Sequence, residues 1–374
     1  MQVAYLADAL YHSMAAGTAR VTHEVARALA DLPDIDLRLI TLHRPEVVRA
    51  YAEKRQYPVA ESIPGGPSKV GVQYLLWHLA GIPGGIARMT READVVYLPL
   101  TVSPPRLRPP QVVTVLDMTF ALFPQYHNRI TRAVAGTGLR RAIREADAFI
   151  AISEHTRNDM VRMTSIPKER IHVVPLAADS RFSPQPDPTI SAKYNIDGPY
   201  VLYVGTLEPR KNLTVLLKAF AAIKDRTTKL VFAGAKGWMY EEFMQSIQDL
   251  GLSERTIITG FIAHEDLPAL ISTASVFVYP SLYEGFGLPV LEAMQCGTPV
   301  ITTNVSSIPE VAGDAALLIA PDDVAGLARH LDDVLASPDL QAEMRENGLE
   351  QARCFSWERT GEMTAEVFRR VVRG

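Results

Sequence analysis

A chain of 374 residues with 47% hydrophobic side chains can bury two cores of ordinary domain size. Its net charge of −4 argues against general nucleic-acid binding, which needs a basic surface. Two cysteines far apart in sequence, Cys296 and Cys354, argue against a disulfide framework or a cysteine-built zinc site and point to a reducing, cytoplasmic setting.

The chain opens on a strand-like run, Gln2 to Leu6, without a basic leader, a long apolar stretch or a cleavage site, so no signal peptide is expected. The pattern then predicts an amphipathic helix over Thr18 to Ala30 and a strand over Leu37 to Leu42. The best candidate for a membrane span, Val70 to Ala87, carries His78 and is broken by Gly81, Pro83, Gly84 and Gly85, so it is not expected to cross a bilayer. Short apolar runs follow at Val95 to Leu98, Val112 to Leu116, Phe149 to Ile152 and His172 to Val174. Helical patterns over Arg129 to Ala146 and Glu154 to Thr164 lie among them. Short buried strands alternating with helices predict a parallel, doubly wound α/β sheet.

A proline-rich stretch, Ser183 to Pro188, reads as a linker. The alternation then restarts with strands at Tyr200 to Val204, Leu230 to Ala233, Thr256 to Ile258, Val276 to Tyr279, Val300 to Thr302 and Ala316 to Ile319. Helices are predicted over Leu213 to Ile223, Tyr240 to Leu250, Glu265 to Thr273 and Pro289 to Met294. The expected architecture is two Rossmann-like domains, 1–182 and 183–356, facing across a cleft. A last helix within 357–374 is expected to cross back to the first domain. Ligands in such sheets sit beyond the carboxyl ends of the strands.

The segment PSLYEGFGLPVLEAMQCGTPVI, from Pro280 to Ile301, carries the most chemistry. A strand, a glycine turn at Gly285 to Gly287 and a helix start at Leu288-Pro289 make an anion site from free N–H groups and the positive end of the helix dipole. Glu284 and Glu292 flank it. Carboxylates would repel a phosphate they touched, so they are expected to grip the hydroxyls of a sugar and a ribose on either side. The alternative is an ordinary strand–turn–helix connection.

GTLEPRKNL, Gly205 to Leu213, also follows a strand and precedes a helix. Arg210 and Lys211 there would stabilise the charge that develops on a departing diphosphate; the alternative is a solvated basic turn. Gly17, between Ala16 and Thr18, would let backbone approach a phosphate or sugar, or simply belong to a helix cap. Asp117 lies at a strand end and either orients a sugar or catalytic neighbour or caps a turn. Ser153 reads equally as a cap, and His155 as an exposed helix residue. Asp34 and Asp36 have metal-type spacing but sit at the edge of a turn. Gly234 to Gly237 could line a nucleoside or form a plain loop. Arg129, Arg132, Arg140, Arg141 and Arg144 make a basic helix, either solvated or resting on an anionic membrane.

These motifs together resemble glycosyltransferase family 4, the retaining GT-B enzymes, and within it the bacterial mannosyltransferase-like members of polysaccharide biosynthesis. The resemblance covers nearly the whole chain: Gly17, HVVPLAAD at His172 to Asp179, YVGTLEPRKNL at Tyr203 to Leu213, the two-glutamate segment, and TTNVSSIPEVAGDAA from Thr302. It implies two Rossmann-like domains and metal-independent transfer with retention. It places Glu284 on the donor sugar hydroxyls and the N–H groups of Phe286 to Leu288 near sugar and phosphate. It places Glu292 on the ribose, Arg210 and Lys211 on the diphosphate, and Gly260, Phe261 and Ile262 near the base. The implied donor-binding set is Gly17, Gly205, Arg210, Lys211, Gly260, Phe261, Ile262, Glu284, Gly285, Phe286, Gly287, Leu288 and Glu292. The implied catalytic set is Glu284, Arg210, Lys211 and Asp117, with no metal, no added cofactor and no assigned nucleophile. GDP-mannose is the first expected donor and UDP-glucose the second.

The acceptor is expected to be a saccharide or lipid-linked saccharide, bound by loops at Gly65 to Gly85 and Phe120 to His127. Tyr74, Trp77, Phe123 and Tyr126 would stack on sugar or touch lipid there, or else belong to the core. A non-catalytic or weakly active nucleotide-sugar-binding protein of the same fold is the competing reading.

One position departs from the family pattern. Relatives usually have His-Asp where this chain has Leu116-Asp117, and that histidine can bond the 6-hydroxyl of the donor sugar. Leucine cannot. The donor is then a 6-deoxy sugar, or another group replaces the histidine, or activity is weak or lost. Under the last two accounts, Leu116→His raises turnover of a 6-hydroxylated donor, read as nucleoside diphosphate release. No gain with any such donor contradicts both.

Overall fold

The computed structural model describes residues 1–8, 17–43, 61–62, 77, 85–101, 104–127 and 129–374. The chain divides into two compact units, Met1–Leu176 with Trp357–Gly374, and Ala177–Ser356.

The first unit is built on a seven-stranded sheet in the order β3-β2-β1-β4-β5-β6-β7. Its strands are β1 (Gln2–Leu6), β2 (Asp36–Thr41), β3 (Glu61–Ser62), β4 (Val95–Leu98), β5 (Gln111–Val115), β6 (Ala148–Ala151) and β7 (Ile171–Val173). Every pairing is parallel. β4, β5 and β6 are buried at every position, which is why β4 and β6 read as unbroken apolar runs rather than alternating ones, while β5 buries the polar Gln111 and Thr114 among its valines. Tyrosines sit in this core with their hydroxyls satisfied: Tyr5 donates to Thr22 O at 2.6 Å, and Tyr97 shares a 2.7 Å hydrogen bond with Thr114.

Helix α1 (Gly17–Ala30) covers one face of the sheet. The last helix, Trp357–Arg373, packs against it. A Cβ on Gly361 would lie 2.9 Å from Ala28 O, so the two helices meet with bare backbone. Phe368 is fully buried, its ring 5.1 Å from that of Tyr97. Thr360 Oγ1 donates to Pro175 O at 2.7 Å, fastening the helix to the end of the first segment. Asp34, half of the metal-type pair, instead accepts from Arg369 at 2.8 Å, and Asp36 opens β2.

The second unit has a six-stranded sheet in the order β10-β9-β8-β11-β12-β13, again all parallel. The strands are β8 (Tyr200–Val204), β9 (Lys229–Ala233), β10 (Thr256–Gly260), β11 (Val276–Tyr279), β12 (Val300–Thr303) and β13 (Leu317–Ile319). The strand order reverses between β8 and β11, and a doubly wound sheet opens a crevice for ligands at that point.

The division at Leu176/Ala177 lies ahead of the boundary at 182/183 suggested by proline content. Ser183 to Asp187 forms no helix or strand but is pinned to the second unit, and Pro188 opens a short helix, Pro188–Lys193. The N–H of Gln185 donates to Ser272 Oγ and that of Asp187 to Thr273 Oγ1, both at 3.0 Å. Gln295 Nε2 donates to the carbonyls of Asp179 and Phe182 at 3.2 and 2.7 Å. Proline here marks chain that cannot join a ladder, not chain that is free. Two helices outside the predicted set, Val324–Ala336 and Pro338–Ala352, carry visible caps. Asp323 accepts from Gly326 N at 2.7 Å and Ser337 from Leu340 N at 3.2 Å. Among the described residues no helix is long and apolar enough to cross a membrane.

Phe368→Ala would open a cavity between the last helix and the first sheet, at a cost of about 3–5 kcal/mol. Urea denaturation should show that loss. Unchanged stability would contradict a structural role for the terminal helix in the first unit.

Candidate functional site

The site grows from the carboxyl ends of β8 and β11. After β8 the chain turns at Gly205, with φ +152°. A Cβ on Gly234, itself at φ +156°, would lie 2.0 Å from Gly205 O, so these two strand-end turns touch backbone to backbone. Gly234 N also donates to Gly260 O at 2.8 Å, which ties the end of β10 into the same row. A 3-10 turn, Pro209–Lys211, follows. Asn212 adopts the left-handed region at φ 58°, where asparagine is tolerated, and donates to Pro321 O at 2.7 Å before the helix Leu213–Ala222 begins.

After β11 the chain runs through Ser281 and Tyr283 to Glu284 and Gly287. Gly287 has φ +113°, a turn that favours glycine, and it starts helix α2 (Leu288–Gln295) with Pro289 in the first turn. The turn is clamped from the next loop, a feature the sequence reading did not single out. Ser306, itself left-handed at φ 57°, accepts from the N–H of Glu284 at 3.0 Å. Ser307 Oγ lies 2.9 and 2.8 Å from the carbonyls of Glu284 and Phe286.

The two strand ends meet at Glu284. Its Oε1 accepts from Lys211 Nζ at 2.7 Å, Ser281 Oγ at 2.6 Å, Tyr279 OH at 3.1 Å and Arg210 Nη1 at 3.3 Å. Among the described residues, Oε2 carries no hydrogen bond. The Lys211 and Glu284 side chains are 9% and 12% exposed. Lys211 also donates to Tyr279 OH at 2.7 Å. Burial, aided by the Glu284 charge, pushes the Tyr279 phenol well up, so it stays protonated and bridges the pair. Arg210 reaches Tyr283 O at 2.6 Å with Nη1 and Glu208 Oε1 at 2.9 Å with Nη2.

Of the remaining residues read from sequence, Gly285 and Phe286 are buried within the same turn, and Glu292 is buried on α2. Gly260 turns at φ +71°, Phe261 is 62% exposed and Ile262 is buried. Gly17 and Asp117 belong to the first unit. Among the described residues, no atom outside its chain neighbours and own helix backbone lies within 4 Å of a Cβ built on Gly17. Asp117 Oδ1 accepts from Thr119 N at 2.9 Å and Thr119 Oγ1 at 2.6 Å, which is a turn cap. Ser153 caps its helix through Thr156 N at 3.0 Å, and His155 lies 3.3 Å from Asp159. Trp77 is fully buried, and Phe123 and Tyr126 stack on each other at 5.8 Å. Tyr74 and most of Gly65 to Gly85 lie outside the described residues. Among the described residues no three His, Cys, Asp or Glu side chains cluster to hold a metal ion.

Two family models match the chain: Glycosyltransferase Family 4 over residues 15–182, and Glycosyl transferases group 1 over residues 187–351. O-antigen chain mannosyltransferase B of Escherichia coli is 35% identical over 266 residues, spanning 69% of this chain and 70% of that one. The chain belongs to glycosyltransferase family 4. It is therefore a glycosyltransferase, an enzyme that moves a hexose in glycoconjugate biosynthesis. The Escherichia coli serotype-specific mannosyltransferase WbdA is 31% identical over 237 residues, a match covering 61% of this chain and 29% of that longer protein. Among solved structures, Anabaena HepE in complex with UDP and glucose aligns with a TM-score of 0.76 and 19% identity, over 99% of this chain and 100% of that one. Sucrose-phosphate synthase from Thermosynechococcus elongatus aligns at 0.75 and 20%, over 99% and 98%. These likenesses show the fold, that of GT-B glycosyltransferases with two Rossmann-like domains.

In this glycosyltransferase the Glu284 carboxyl has an acid-sensitive role. Burial pushes it up, but the Lys211 and Arg210 cations and the hydrogen bonds from Lys211 and Ser281 outweigh burial and hold it down to about 2. Burial lowers the Lys211 ammonium, with the Glu284 charge pulling the other way. An ordinary glutamate titrates near about 4.3. The unfolded chain therefore binds this proton more tightly, so the stabilisation is complete above about pH 5 and is lost as pH falls toward about 2. A difference of this size is on the order of 3 kcal/mol. Glu284→Gln should flatten the acid limb of stability in urea titrations between about pH 5 and 3. Equal slopes in variant and wild type would contradict the buried pair.

Proposed function

We propose that the chain is a retaining hexosyltransferase that moves mannose from a nucleotide-sugar to a saccharide or lipid-linked saccharide in surface-polysaccharide biosynthesis. GDP-mannose is the first donor by this reading and UDP-glucose the second. The observation that carries it is the convergence of Arg210, Lys211 and Glu284 at the strand-order reversal, beside the start of α2. The names of the O-antigen and WbdA mannosyltransferases support mannose, and the UDP-bound neighbour supports a nucleotide donor.

In this reading Arg210 and Lys211 take the diphosphate and stabilise the charge that grows on it as the anomeric bond breaks. Glu284 holds the donor sugar: Oε1 is committed to Lys211 and its neighbours, which leaves Oε2 to accept sugar hydroxyls. N–H groups of Phe286 to Leu288 face sugar and phosphate at the positive end of α2. Glu292 holds the ribose, and Gly260, Phe261 and Ile262 lie along the base. Gly205, Gly285 and Gly287 let backbone approach the donor, as does Gly17, where a built Cβ meets no atom of the described residues within 4 Å. Asp117 holds its strand-end turn through Thr119 and so orients the sugar-facing chain. The acceptor hydroxyl attacks the anomeric carbon on the face the diphosphate leaves, and its proton passes to the departing phosphate oxygen. No protein nucleophile, metal or added cofactor takes part in this scheme.

The helix Arg129–Glu145 exposes Arg132, Arg140 and Arg144 along one stripe. We assign this face to peripheral contact with the anionic, cytoplasmic side of the cell membrane, where a lipid-linked acceptor would be presented.

A thermal-shift panel of GDP, UDP, GDP-mannose and UDP-glucose tests the donor, because a ligand that binds the folded state stabilises it by mass action. Arg210→Ala should lower donor turnover by on the order of a hundredfold or more, as loss of a charge-stabilising donor does. Glu284→Ala should do the same. Turnover unaffected by either change would contradict the assigned site.

A further inference from the structure

Arg210 is held at both ends by carboxylates. Its Nη1 meets Glu284 Oε1 at 3.3 Å and its Nη2 meets Glu208 Oε1 at 2.9 Å. With Lys211 this makes, among the described ion pairs, a cluster of two cations and two carboxylates whose charges balance. A neutral cluster offers a diphosphate little attraction unless one carboxylate gives way.

The two carboxylates are not equally held. Glu284 takes hydrogen bonds from Lys211, Ser281 and Tyr279 besides Arg210, and its side chain is 12% exposed. The Glu208 side chain is 20% exposed, and among the described residues Arg210 is its one hydrogen-bond partner. The Glu208 backbone, by contrast, is fixed. Its N–H donates to Thr206 O and its carbonyl accepts from Lys211 N, both at 3.0 Å. Gly237 packs so close that a Cβ there would lie 3.0 Å from Glu208 Cβ. The side chain can therefore swing away while the turn that carries Arg210 and Lys211 stays in place.

We infer that Glu208 is a displaceable counter-ion, occupying in the empty site the place on Arg210 that a diphosphate oxygen takes. This rests on the reading that Arg210 and Lys211 bind the donor diphosphate. The consequence is a bias toward release. A free nucleoside diphosphate has one more ionised oxygen than the sugar nucleotide it came from. A carboxylate competing for Arg210 opposes the more highly charged product more than the donor. Glu208 thus keeps Arg210 oriented between turnovers and helps to expel the product after each one.

Isothermal titration of the full chain with GDP and UDP, and with GDP-mannose and UDP-glucose, tests this. Glu208→Gln keeps the shape and an acceptor but removes the charge. It should bind the preferred nucleoside diphosphate more tightly, on the order of tenfold. It should bind the matching sugar nucleotide more tightly by a smaller factor, so product inhibition deepens. Glu208→Ala should shift affinity the same way. A merely structural residue cannot produce this gain, since disturbing the turn weakens binding. The gain should vanish in an Arg210→Ala background, because the two residues act on one ligand position. Unchanged or weaker diphosphate binding in both Glu208 variants overturns the inference, as does a gain that persists without Arg210. If the wild-type chain binds neither GDP nor UDP, the donor reading itself fails and takes this inference with it.

Discussion

Lys211 and Glu284 form an ion pair withdrawn from water, and the rest of the second unit is arranged around that fact. Removing two charges from solvent is costly, and the cost is recovered only where geometry is tight and the remaining hydrogen-bonding positions are filled. Here Ser281 and Tyr279 complete the shell on Glu284 Oε1, and Tyr279 also accepts from Lys211. The pair can form only because β8 and β11 are neighbours, although 71 residues lie between the end of one and the start of the other. The crossover that reverses the strand order therefore opens the ligand crevice and also brings a lysine after one strand against a glutamate after the other.

The same arrangement sorts the site into fixed and movable parts. Glu284 is anchored through its side chain and, by Ser306 and Ser307, through its backbone. Gly205, Gly234 and Gly260 join three strand ends by direct backbone approach, which leaves a rigid rim. The Glu208 side chain, by contrast, has one hydrogen-bond partner among the described residues, Arg210. A preorganised floor with an exchangeable counter-ion suits a site that must stabilise developing charge and then let a charged product go.

Much of this was legible in the sequence, for definite physical reasons. Parallel strands buried on both faces leave continuous apolar runs, so Tyr200 to Val204 and Val276 to Tyr279 were found at their observed bounds. Glycine and proline after those runs marked the turns at the strand ends, because Gly205 and Gly287 adopt conformations that other residues resist. The polar partners were not legible. Nothing local to Glu208 shows that it faces Arg210, and Ser306 reaches Glu284 only through the packing of a later loop. The hydrogen bonds by which Ser272 and Thr273 hold the Ser183 to Pro188 segment were not legible either, because proline content reports the loss of backbone donors and not the partners that a segment finds.

The central claim is that the Lys211–Glu284 pair, with Arg210, is the floor of the donor site. A crystal structure of the full chain soaked with GDP-mannose and with UDP-glucose tests it most directly. The account predicts a diphosphate within hydrogen-bonding reach of Arg210 and Lys211 and a sugar hydroxyl on Glu284. A bound donor whose diphosphate touches neither cation, or whose sugar lies away from Glu284, would contradict it.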